Sequence, residues 1–158
     1  MRLVVRYAAI GLLVVLVQWL VLGRLRVGGA YPDGVLLYVA WLGIRYGRTA
    51  GMTSGFFLGF LTDALYDTWG IQMFAKTLVG FLVGLFPATE RGTLLILPQQ
   101  ALLGGLAIAL LHNGLFAIFL ILTSGIRTSA LLTTVWLGSS VYTALLSLAA
   151  ALVNPRRR

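Results

Sequence analysis

The chain has 158 residues, 59% hydrophobic and only 10% charged, with a formal net charge of +8. A water-soluble domain of this length needs a polar exterior that such a composition cannot supply, and the absence of cysteine excludes disulfides, iron–sulfur clusters and thiol catalysis. Mean hydropathy is +0.97, and apolar runs follow one another with short breaks, the pattern of an all-α polytopic membrane protein. No alternation of the β-barrel kind is visible.

Six spans are predicted. The first, Leu3 to Leu22, has a basic start resembling a signal peptide, but no convincing cleavage site follows, so it reads as an uncleaved helix. The second runs from Pro32 to Ile44 and is extended to Arg48, because the shorter segment falls well below the length needed to cross about 30 Å of hydrocarbon. The third is Thr49 to Leu65, and the fourth Ile71 to Phe86. The fifth lies within Leu94 to Leu122, taken as 97–122 with Pro98 in its first turn, and the sixth is 129–153. The breaks are GRLRVGGAYPDG, RYGR, YDTWG, PATERG and TSGIRTS, rich in turn formers and charge. All six spans form a single integral membrane domain.

Eleven arginines and one lysine carry the positive charge. They sit at the ends of apolar runs, so membrane orientation, not nucleic-acid binding, accounts for them. With both termini cytoplasmic, Arg2, Arg6, Arg45, Arg48, Arg91 and Arg156 to Arg158 lie inside, and Arg24, Arg26 and Arg127 outside.

In the third span Gly51, Gly55 and Gly59 recur every fourth residue and the series ends on Asp63. In the fourth, Lys76, Gly80 and Gly84 form a matching line. Facing glycine lines let two membrane helices approach backbone to backbone. Asp63 and Lys76 are equidistant from the Trp69–Gly70 bond, so the hairpin is expected to set them at similar depth as an intramembrane ion pair. A lone charge at mid-bilayer costs at least about 2.5 kcal/mol on insertion scales, and an opposite charge offsets much of it. A proton or ion relay through these two residues, and separate solvation of each in the interface, are the alternatives.

His112 and Asn113 fall in the middle of the fifth span. There is no second histidine to build a metal site, so the two are expected to hydrogen-bond to a neighbouring helix, as are Gln18, Gln99 and Gln100. Gly104 and Gly105 are expected to admit another helix, and Ser139, Ser140 and Tyr142 to serve as packing hydroxyls. Neither a Ser/His/Asp set, a catalytic carboxylate pair nor a phosphate-cradling loop can be assembled, so no enzyme, cofactor or metal is implied.

PDGVLLYVAWLGIRYG, GMTSGFFLGFLTDAL, YDTWGIQ and FAKTLVGFLVGLF together resemble the bacterial rod shape-determining protein MreD family, with a downstream QQALL similar to the start of that family's fifth span. The resemblance implies a non-enzymatic component of the elongation machinery in the inner membrane. It would work with lipids, with an MreC-like periplasmic protein and, indirectly, with an MreB-like actin homologue and a glycosyltransferase–transpeptidase pair. It also implies a likeness in fold to the six-helix substrate-binding subunits of energy-coupling-factor transporters. A vitamin-capture subunit of that kind is the second functional reading. Against it, Ala8 and Ala9 are followed four residues on by Leu12 and Leu13, which breaks the expected alanine docking face. In addition, Asp33, Asp67, Gln72 and Arg127 make no recognisable ligand set.

Overall fold

A computed structural model describes residues 2–87, 97–124, 129 and 131–153. Six α-helices follow in order: α1 (Arg2–Leu20), α2 (Gly34–Tyr46), α3 (Arg48–Tyr66), α4 (Ile71–Val83), α5 (Pro98–Ser124) and α6 (Ser139–Val153). A 3₁₀ turn, Leu22–Arg24, follows α1, and a π-helical stretch, Leu131–Gly138, leads into α6. The PATERG break, with Arg91, lies largely outside the described residues, as do most of TSGIRTS with Arg127, and Arg156 to Arg158.

Among the described residues three stretches are long and apolar enough to cross a bilayer: Arg2–Arg24, Pro98–Thr123 and Thr133–Val153. Both α2 and α4 have 13 residues. At about 1.5 Å per residue each rises only about 20 Å, short of the hydrocarbon thickness. They are the innermost elements: Val35, Leu36 and Val39 of α2 and Ala75, Lys76 and Val79 of α4 have no measurable exposure. Helix α2 divides the apolar core. Val35 and Val39 pack with Val15 of α1 and Leu58 of α3 on one side, and Leu36 packs with Val79 of α4 and Ala109 of α5 on the other.

A short central helix leaves irregular backbone at depth, which is tolerated only where protein satisfies it. The segment before α2 meets that condition. Val27 and Ala30 exchange backbone hydrogen bonds of 2.9 and 3.0 Å across Gly28 and Gly29, both at positive φ, a reversal open to glycine. Beyond it, Gln18 of α1 donates Nε2–H to the Pro32 carbonyl and accepts the Gly34 N–H at Oε1. From α6, Ser139 Oγ accepts the Tyr31 N–H and Thr143 Oγ1 accepts the Asp33 N–H. The side chain of Asp33 caps α2 by accepting the Leu36 N–H at 2.8 Å.

The most extensive helix pairing is α3 against α4. A Cβ added at Gly51 or Gly55 would strike the Gly80 or Lys76 carbonyl, and one at Gly59 would lie 2.6 Å from the Met73 Cα. Gly80 faces Gly51, and Gly84 faces the Arg48 backbone. These obstructions are backbone, so nothing can swing aside. Gly43 of α2 enters the same seam: a Cβ there would lie 3.0 Å from the Gly80 oxygen. On the other side of the molecule Gly105 of α5 meets Ser147 of α6, whose Oγ donates to the Ala101 carbonyl, whereas Gly104 faces open space. Only one of the two adjacent glycines therefore admits a helix.

Candidate functional site

The helices converge on a buried polar junction. Lys76, whose side chain is fully enclosed, reaches from α4 to Asp33 Oδ2 at 2.7 Å. Its ammonium also donates to Gln72 Oε1, one turn back on α4, at 2.6 Å, and lies 3.3 Å from His112 Nε2 of α5. An ammonium has three N–H donors and no acceptor, so these three partners use it completely. The ring nitrogen facing Lys76 must accept, and His112 is therefore the neutral tautomer with its proton on Nδ1. That proton is directed at Asn113 Oδ1, 3.0 Å away. Asn113 Nδ2 then donates to Ser140 Oγ of α6 at 3.1 Å, and Ser140 donates to the Trp136 carbonyl. One directed series of hydrogen bonds thus joins α4, α5 and α6, while the ion pair ties α4 to α2.

Asp33 serves two elements at once. Oδ1 holds the first turn of α2 and Oδ2 holds Lys76. Removing charges from water is costly, and the attraction offsets that only when the remaining donors and acceptors are also satisfied. Here they are: among the described residues no buried side-chain nitrogen or oxygen lacks a partner. The junction is closed upon itself, a centre that orders helices.

The expected Asp63–Lys76 pair is not formed. Asp63 is 1% exposed and sits in the last full turn of α3. Its Oδ1 accepts the Thr68 hydroxyl at 2.8 Å and the Gln72 N–H at 2.9 Å; its Oδ2 accepts the Gly70 and Met73 N–H groups at 3.0 and 2.9 Å. Gly70, Gln72 and Met73 hold the N-cap, second and third positions of α4, whose N–H groups have no partner within the helix. The carboxylate therefore caps the next helix, where the helix dipole also favours negative charge. The register of the seam explains the change of partner. Gly51 lies against Gly80 and Gly55 against Lys76, while Gly59 lies against Gln72 and Met73. Continued one turn, that register sets Asp63 opposite the start of α4. Lys76 is about 10 Å of helix further along. Equal distance from the turn does not give equal depth, because the two helices are staggered.

His112 and Asn113 do bond across to neighbouring helices, as just described, and Gln18 does so through the Pro32–Gly34 backbone. Gln100 instead turns back on its own helix start, where Oε1 accepts the Leu97 N–H at 3.2 Å. Ser139 and Ser140 are both buried; Ser140 joins the junction through Asn113, while Ser139 holds the Tyr31 N–H. Asp33 was missed as the lysine's partner. Its signal was present in PDG: an aspartate directly before a helix is an N-cap signature, and a capping carboxylate keeps a second oxygen for another donor.

Among the described residues six α-helices, with three stretches long and apolar enough to span a bilayer, pack around a self-satisfied charged centre and define a polytopic all-α membrane protein. The family model of the rod shape-determining protein MreD matches residues 2–154, so the chain belongs to that family and has its role in rod shape determination. No curated protein and no solved structure matches the chain.

Proposed function

We propose that this chain is a non-enzymatic scaffold of the side-wall elongation complex. It resides in the inner membrane with both termini in the cytoplasm. There it binds an MreC-like periplasmic protein and, through it, an MreB-like actin homologue and a glycosyltransferase–transpeptidase pair. The family match over essentially the whole chain carries this reading. Two structural features support it. In the charged junction no buried side-chain nitrogen or oxygen among the described residues lacks a partner within the protein, the economy of a rigid framework. The α1 helix exposes Leu3, Val4, Val5, Leu12 and Leu13, each at least half accessible, leaving a long apolar face for a partner's membrane helix or for lipid.

The test is affinity purification of the tagged chain from native membranes, combined with its depletion. The scaffold reading expects cells to lose rod shape on depletion, and a periplasmic coiled-coil partner with cell-wall synthases to be recovered. Recovery of ATPase subunits, retention of a vitamin, or unchanged cell shape on depletion would overturn it.

A further inference from the structure

At the end of the bundle opposite the charged junction, the start of α1 meets the end of α2. Tyr7 and Tyr46 join their hydroxyls at 2.6 Å, and Tyr38 Oη donates to the Tyr7 carbonyl at 2.9 Å. Trp41 packs against Tyr7, Tyr38 and Tyr46, with ring centroids 5.8, 5.9 and 6.3 Å apart. The Arg45 guanidinium lies 5.8 Å from the Tyr46 ring centre, and Arg6 and Arg45 directly precede Tyr7 and Tyr46 in the chain. Arg2, Arg6, Arg45 and Arg48 are all exposed. The described carboxylates, Asp33, Asp63 and Asp67, sit at the opposite ends of α2 and α3, so no described acid neutralises these arginines.

Two hydroxyls joined by one hydrogen bond retain one O–H that points elsewhere. That donor and two guanidinium forks therefore gather at the start of α1; Arg45 gives one hydrogen bond to the Tyr46 hydroxyl, and its five-donor fork keeps further N–H groups for another acceptor. Guanidinium forks match the tetrahedral oxygens of phosphate. Exposed apolar surface continues from this point along α1 through Leu12, Leu13 and Leu16, where an acyl chain can lie beneath its headgroup. Aromatic rings stand between the two zones, and tyrosine and tryptophan favour the membrane–water interface. We propose that Arg6, Arg45 and the Tyr7–Tyr46 hydroxyl pair form a seat for the phosphate of an anionic phospholipid. The seat depends on the chain crossing a membrane and is independent of its partners in cell-wall synthesis.

The experiment is native mass spectrometry of the full, delipidated chain in detergent, titrated with phosphatidylglycerol or with phosphatidylcholine of the same acyl chains. The wild type should retain the anionic lipid preferentially. Arg6→Gln or Arg45→Gln should each weaken retention about 5-fold and the pair about 25-fold. Tyr7→Phe with Tyr46→Phe, which keeps both charges, should weaken it about 5-fold. Arg24→Gln with Arg26→Gln, at the other end of α1, should leave it unchanged. Equal retention of the zwitterionic lipid overturns the proposal, as does retention indifferent to Arg6→Gln with Arg45→Gln, or displacement of the lipid by excess inorganic phosphate. Should the glutamine variants not yield monodisperse protein, salt titration of the wild type decides. Preferential retention must fall as ionic strength rises, and salt-independent retention refutes the seat.

Discussion

Replacing Lys76 with methionine would remove the charge while keeping most of the apolar stem. Three groups would then lose their donor at once: Asp33 Oδ2, Gln72 Oε1 and His112 Nε2. Removing one partner of a buried ion pair costs about 3–5 kcal/mol, chiefly because the other charge is left uncompensated. Asp33→Asn removes that remaining charge while its amide oxygen can still cap α2. The double variant should therefore be less destabilised than the sum of the singles, with a coupling of about 1–3 kcal/mol. The matching cycle of Lys76→Met with Asp63→Asn should show much weaker coupling, because those residues meet only through different groups of Gln72. Reversible unfolding in mixed micelles, or thermal melting in detergent, measures all of these variants. Coupling through Asp63 equal to or larger than coupling through Asp33 would refute the assignment of Lys76 to the α2 cap and restore the hairpin pair.

Gly55→Leu should destabilise the protein by at least about 1–3 kcal/mol, since the added side chain meets the Lys76 backbone with no room to move. Gly104→Ala, facing open space in mid-helix, should be neutral or stabilising by up to about 1 kcal/mol in the same assay. Asp63→Ala should cost about 2 kcal/mol or more by leaving the first N–H groups of α4 without acceptors, and amide hydrogen exchange at Gln72 and Met73 should rise with it. Nitrogen-15 NMR of labelled protein in lipid should show His112 with its proton on Nδ1; a proton on Nε2 would contradict donation from Lys76.

The helical membrane class was written into composition. With so few charges and so little polar surface, spanning helices are the arrangement that satisfies the backbone. The glycine line was equally legible, because a four-residue period on one helix and its counterpart on the next has few physical uses besides close approach. Choice of ionic partner was not legible, because it turns on stagger. A sequence shows that Asp63 and Lys76 lie equally far from a turn. It does not show that α3 slides past the start of α4 so that Gly55, not Asp63, stands beside the lysine. Likewise PDG announces the cap of α2, while only packing reveals that this cap is sunk beneath Gln18, Ser139 and Thr143 at the level of Lys76. Local chemistry fixed which residues must be neutralised or capped. The three-dimensional register decided by whom, because hydrogen bonds and ion pairs form over about 3 Å, far less than the uncertainty in how two rods slide along each other.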